Sequence, residues 1–130
     1  MIIPSDMKFT TSDEWVKVEG KIATIGVTDF AQNQLSDIVF VEVTVAVDDD
    51  VKKGSTCATL ESVKAAADVT LPVSGKVVEI NEDLPQTPEL VNSDPYGKAW
   101  MVKIELSNPA ELDSLMDAKA YEKNCEERSH

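Results

Sequence analysis

One lysine, Lys64, stands at the centre of Leu60-Glu61-Ser62-Val63-Lys64-Ala65-Ala66-Ala67-Asp68-Val69. The residues on either side read as strands, so Lys64 falls at the tip of a tight turn. An ε-amine there is exposed on a rigid base. A modifying ligase can reach it, and a swinging cofactor can be anchored on it. The alanine run beside it leaves space around such an arm. Unmodified, it would be an ordinary solvated turn lysine, one of the chain's many lysines, and spacing alone does not single it out.

Other chemistries find little support. The only histidine, His130, ends a polar tail, which argues against a Ser-His-Asp arrangement. It also has no histidine partner or cysteine cluster to make a metal site. Cys57 and Cys125 are far apart and form no CxxC pair, so reduced thiols are expected. The run Asp48-Asp49-Asp50 fails as a calcium loop: from Asp48, Lys52 and Lys53 fall on a ligand and the glycine position, and Thr59 falls where the closing Glu belongs. No glycine-rich phosphate loop is present. Trp15 and Trp100 read as core. The net charge of -12 argues against nucleic acid and anionic membranes and suits brief, steered docking on other proteins.

The elements that must position Lys64 are mostly short strands. Glu14 to Glu19 alternates, Gly20 turns the chain, and Lys21 to Val27 reads as the partner strand. Thr28 caps a short helix through Phe30, Gln32 and Leu35. Ile38 to Val47 is rich in Val and Ile, as a buried strand should be, and the aspartates end it. Thr56 to Glu61, Ala67 to Leu71 and Lys76 to Ile80 are further strands, with Pro72-Val73-Ser74-Gly75 as a turn. Asn81 to Lys98, holding Pro85, Pro88 and Pro95, reads as a long connection with little regular structure. Trp100 to Leu106 resumes alternation. Asn108-Pro109-Ala110-Glu111 has the form of a helix start, and Asp117 caps a second helix from Ala118 to about Glu127. Gly20-Lys21-Ile22-Ala23-Thr24-Ile25 echoes Gly75-Lys76-Val77-Val78-Glu79-Ile80, an echo too short to establish a repeat. The expected class is mainly β, in one domain over 1–130, with a core at about 20–106 and a C-terminal helical extension at about 108–128.

Glu61-Ser62-Val63-Lys64-Ala65 resembles the lipoylation motif of glycine cleavage H-proteins. The likeness continues, in order, through most of the chain. It includes Glu14-Trp15-Val16, Ala23-Thr24-Ile25-Gly26-Val27-Thr28-Asp29, Asp37-Ile38-Val39-Phe40-Val41-Glu42, Pro72-Val73-Ser74-Gly75, Glu89-Leu90-Val91-Asn92, Asp94-Pro95-Tyr96-Gly97 and Trp100-Met101-Val102-Lys103-Ile104. The resemblance implies a barrel-sandwich hybrid of the lipoyl and biotinyl kind, with a short helix in the N-terminal half and helices at the C-terminal end. It implies lipoic acid in amide linkage to Lys64, with Glu61, Ser62, Val63 and Ala65 recognised by a lipoyl ligase or octanoyltransferase. It implies a non-catalytic carrier in glycine catabolism and one-carbon metabolism, probed by three enzymes in turn. A pyridoxal-phosphate glycine decarboxylase (P-protein) would load an aminomethyl group. A tetrahydrofolate-dependent aminomethyltransferase (T-protein) would unload it, and dihydrolipoamide dehydrogenase (L-protein) would reoxidise the arm. Ser12, Glu14 and Asp68 would line the cleft that shields the loaded arm.

The sequence departs from the family pattern in places. Asp13 stands where His is usual, Ala67 where Ser is common and Ser36 where Gly is common. Thr44 to Asp50 lacks the usual Pro and Gly. Two other readings follow from the same lysine: a biotin carrier, against which Val63-Lys64-Ala65 stands in place of Met-Lys-Met, and an H-like lipoyl relay serving lipoate transfer or another pathway. The expected state is a monomer. Met1-Ile2-Ile3-Pro4 followed by Ser5 and Asp6 shows no secretory leader, which points to the bacterial cytoplasm, or to the mitochondrial matrix for a processed eukaryotic chain.

Overall fold

The computed structural model describes residues 1–128; His130 lies outside the described residues. Among the described residues, nine strands form two antiparallel sheets. The strands are β1 (Lys8–Phe9), β2 (Glu14–Glu19), β3 (Ile22–Val27), β4 (Ile38–Val43), β5 (Asp50–Val51), β6 (Thr56–Ser62), β7 (Ala66–Thr70), β8 (Gly75–Ile80) and β9 (Val102–Leu106). One sheet has the order β1-β2-β3-β9-β8-β5 and the other β4-β6-β7. Helices α1 (Asp29–Leu35), α2 (Leu90–Ser93) and α3 (Ala118–Arg128) pack around them. This is the mainly β, barrel-sandwich architecture expected from the sequence.

Alternation explains the sandwich. Val16, Ala23, Ile25, Val77 and Ile104 turn inward from the larger sheet, and Val41, Leu60 and Val69 from the smaller, all buried in one apolar cluster. Burying each large aliphatic side chain contributes about 1.5–3 kcal/mol. A second cluster joins the two ends of the chain: Met7, Phe9 and Trp15 with Phe30, Tyr121 and Cys125. Gly26 pairs with Trp15 across β2–β3, and a Cβ there would lie 2.7 Å from the indole, so only glycine leaves the ring its place. Both cysteines are buried, free thiols; burial pushes the Cys57 thiol up to about 12, far from the reactive thiolate form.

Several elements differ from expectation. The strand read over Ile38 to Val47 stops at Val43. Asp48 takes a φ of 78°, and the Asp49 carboxylate accepts the Ala46 N–H at 2.9 Å. The acid run thus turns the chain out of one sheet, and Asp50–Val51 joins the other, opposite Lys76 and Gly75. The segment Pro109–Ser114 is a 3-10 helix, not an α-helix, and Leu115 is extended after it. The proline-bearing connection contains a 3-10 turn at Leu84–Gln86 and the short α2. The two echoed segments both become strands paired with β9, but not in the same register. Ile22 and Lys76 both face Glu105 from opposite sides of β9, so the two similar segments run one residue out of step.

Candidate functional site

The β6–β7 hairpin presents Lys64. Ser62, Val63, Lys64 and Ala65 make its turn, closed by the Ser62 N–H donating to the Ala65 carbonyl at 2.7 Å. The Ser62 hydroxyl accepts from the N–H groups of Lys64, at 3.2 Å, and Ala65, at 3.0 Å, and donates to the Ala65 carbonyl. A serine side chain that satisfies its own turn in this way stiffens it. The Val63 N–H also reaches back to the Asp37 carbonyl at 3.0 Å. Lys64 and Val63 are exposed, and Glu61 lies on the exposed face of β6. The backbone beneath the amine is therefore tied at both ends of the turn, and the side chain stays in water.

Ser12, Glu14 and Asp68 line one cleft of about 170 Å³, together with Ala31, Leu35 and Leu60. Glu14 opens β2 and is only 2% exposed. Its carboxylate accepts from Ser12 Oγ at 2.6 Å, from Thr10 Oγ1 at 2.7 Å and from the Thr70 N–H at 3.4 Å. Burial raises its pKa above the ordinary carboxylate range. The Ser12, Thr10 and Thr70 donors pull the other way, and the neighbouring Asp13 adds to the rise. Asp68 sits at the mouth: it is exposed on β7, opposite Thr59, while its neighbour Ala67 faces the buried Leu60. A larger cavity, about 790 Å³, lies at Asp50–Lys53, Ser74–Lys76 and Glu105–Glu111 and shares no lining residue with the lysine turn. Ser12 and Glu14 also line a second cavity, of about 240 Å³, whose walls include the donors Thr10 and Thr70; the smaller cleft is the one that brings Glu14 together with Asp68.

Thr10 and Thr70 completed the Glu14 shell without having been marked in the sequence. Each comes from a separate segment, and a threonine carries no local signal for such a partner. Asp13 also lines the cleft, but it serves the C-terminal helix. Its carboxylate accepts from Tyr121 Oη at 2.9 Å and pairs with Arg128 at 2.5 Å. Asp13 takes a φ of 72°, which aspartate tolerates better than most residues. Asp13 is thus engaged by α3, and Glu14 keeps its own set of partners.

The chain is similar to known proteins over most of its length. The family described as "Glycine cleavage H-protein" matches residues 7–128. Glycine cleavage system H protein of Carboxydothermus hydrogenoformans is 53% identical over 126 residues, covering 97% of this chain and 96% of its own. The protein of the same name from Staphylococcus haemolyticus is 53% identical over 121 residues, covering 93% of this chain and 95% of its own. A crystal structure of a glycine cleavage system H protein from Mycobacterium marinum superposes with a TM-score of 0.84 at 30% identity, covering 93% of this chain and 97% of that one. From its lysine hairpin to its C-terminal helix, the chain belongs to the glycine cleavage H-protein family.

Proposed function

We propose that Lys64 carries lipoic acid in amide linkage and that the chain is the lipoyl shuttle of a glycine cleavage system. The observation that carries this reading is the exposed Lys64, on a turn held by Ser62. The acid-lined cleft of Ser12, Glu14 and Asp68 supports it. When bound, the lipoyl group supplies a dithiolane that takes up an aminomethyl group from glycine and two electrons with it. The residues present suit that group. An aminomethyl nitrogen is cationic, and Glu14 offers a carboxylate already withdrawn from water. Asp68 at the mouth adds a second negative charge. Leu35, Leu60 and Ala31 give the cleft apolar walls that exclude water.

The chain itself acts as carrier and substrate, not as catalyst. Its partners are the decarboxylase, the aminomethyltransferase, the dihydrolipoamide dehydrogenase and the enzyme that acylates Lys64. One domain, one copy and the cytoplasm of a bacterium complete the proposal. Among the described residues, no helix is long and apolar enough to cross a membrane.

Lys64→Arg tests the assignment. The guanidinium keeps the charge but is not acylated in the same way. The variant is expected to fold with an unchanged unfolding midpoint and to lose glycine–bicarbonate exchange with the decarboxylase altogether. Intact mass of the wild-type chain, made with a lipoate ligase and lipoate, should show one lipoyl adduct, mapped to Lys64. Full exchange activity in the arginine variant would sink the assignment.

A further inference from the structure

The arm cleft has a third acid, Asp13, beside Glu14 and Asp68, and among the described residues that line it there is no Lys or Arg. Carboxylates so confined raise the cost of each other's charge unless a cation is brought to one of them. Arg128, at the end of α3, brings it to Asp13. Its Nη2 donates to Asp13 Oδ1 at 2.5 Å and its Nη1 to Oδ2 at 3.1 Å, a two-pronged pairing that a lysine cannot reproduce. The Tyr121 hydroxyl donates to the same Oδ1 at 2.9 Å. The Asp13 side chain is 17% exposed and that of Arg128 35%, so water screens the pair only in part.

The same guanidinium ties the cleft's walls together. It lies 4.7 Å over the Phe30 ring of α1, as a cation over an aromatic face. That helix gives Ala31, Gln34 and Leu35 to the cleft. The Asp13 carbonyl accepts from the Thr28 N–H at 3.0 Å, and Thr28 caps α1. The Asp13 N–H donates to the Thr10 carbonyl at 3.2 Å, closing the loop that brings Thr10 and Ser12 to Glu14. One side chain of α3 therefore holds the Ser12–Glu14 loop against α1.

We propose that Arg128 is a positioning residue for the arm cleft: by pairing with Asp13 it offsets the charge beside Glu14 and holds the rim against α1, so that α3 sets how long a loaded arm stays shielded. The inference rests on the reading of Ser12, Glu14 and Asp68 as the cleft of a Lys64-linked arm. Glu14 is faced by Asp13 in its own loop, by Asp68 on β7, by Lys53 across the second cavity and by the Cys57 thiol on β6. Asp13 pushes the Glu14 carboxyl toward its protonated form. Without Arg128 that push is not offset. Glu14 then ionises at higher pH, and a cationic amine finds a weaker partner at neutral pH.

The lipoylated chain, loaded from glycine by the decarboxylase and then freed of enzyme, tests the proposal through its rate of formaldehyde release over a pH series. In that loss water supplies the oxygen. The C–S and C–N bonds break, and formaldehyde, ammonia and the free thiol form with no net oxidation. Arg128→Gln is expected to lose the adduct about tenfold faster at neutral pH, within the range for side chains that share a network. The pH of half-protection should move up. Asp13→Asn should move it down, because the charge beside Glu14 is gone and asparagine tolerates the φ of 72°. In the Asp13→Asn background, Arg128→Gln should change the rate little. Unchanged or slower loss in Arg128→Gln overturns the inference. So does an equal acceleration in both backgrounds with the pH of half-protection unmoved, which assigns Arg128 to the fold alone. Glu14→Gln that keeps the wild-type adduct lifetime overturns instead the reading of the cleft on which the inference rests.

Discussion

At the scale of single residues, Glu14 carries the most unusual physics. Its charge is buried among hydroxyls and one amide, with no cation facing it in its hydrogen-bonded shell. Burial opposes ionisation more than those donors favour it, so the native carboxyl holds its proton more tightly than the unfolded chain does. The stability that Glu14 contributes is therefore greatest below the ordinary carboxylate range. It falls as pH rises through the raised native value. A cationic amine entering the cleft would relieve that cost, which couples arm binding to the charge of one side chain. Glu14→Gln removes the ionisation and keeps the shape. Its stability relative to wild type should be more favourable at pH 8 than at pH 4, by urea unfolding at both; an equal difference at the two pH values would show that Glu14 ionises without penalty. The turn that presents Lys64 was legible in the sequence because its signal is local, two strands about a short stretch; that spacing does not single the lysine out, and its proposed role comes from the motif's resemblance. The environment of Glu14 was only half legible. Ser12 lies two residues away, whereas Thr70 comes from β7 and no local pattern predicts that meeting.

At the scale of elements, the strands could be read because alternation reports a face, and β2, β3, β6 and β8 fall within a residue or so of their expected spans. Prolines and aspartates were harder. They mark where regular structure ends but not what replaces it, hence the 3-10 helix at Pro109–Ser114 and the early end of β4. The α1–β4 junction shows how such an end is held. Asn92 reaches it from α2: Oδ1 accepts from Ile38 N–H at 2.8 Å, and Nδ2 donates to Ser36 O and to Gln32 Oε1, each at 2.9 Å. Ser36 there takes φ 67° and ψ −154°, a region that essentially only glycine enters without strain. Glycine would take that conformation without the steric cost. Ser36→Gly keeps both backbone bonds and removes the steric cost, of order 1–3 kcal/mol, against about 0.5–1 kcal/mol of added chain entropy. The variant should gain about 1 kcal/mol in urea unfolding, and a loss of stability would mean that the serine Cβ sits without strain. Since the junction leads directly into β4 and the lysine turn, lipoylation should proceed at the wild-type rate if only strain is removed.

At the scale of the whole molecule, the question is whether the C-terminal helix is an appendage or part of the one core. The sequence placed it as an extension because its helical signal follows the last strand. The packing joins it to the beginning of the chain instead. Phe9 and Tyr121 stack with ring centroids 4.7 Å apart, and the Tyr121 hydroxyl meets Thr28 Oγ1 at 2.6 Å. Thr28 in turn caps α1 through the Ala31 N–H. The Phe9 and Met116 backbones exchange hydrogen bonds in both directions, at 2.8 and 2.9 Å. Arg128 closes the far end on Asp13, at the rim of the arm cleft. Loosening α3 therefore exposes Phe9 and Trp15, uncaps α1 and frees the cleft rim together. Such linkage makes a single cooperative transition, with far-UV circular dichroism and tryptophan fluorescence falling on one curve. Tyr121→Ala should lower the stability of that whole transition by about 3–5 kcal/mol, the cost of an aromatic cavity. Tyr121→Phe should cost only the hydroxyl's bonds, about 1–3 kcal/mol. An early fluorescence change, with the strands still intact, would separate the helix and its cluster from the sandwich. The arm cleft would then be open in a fraction of molecules before the fold as a whole is lost.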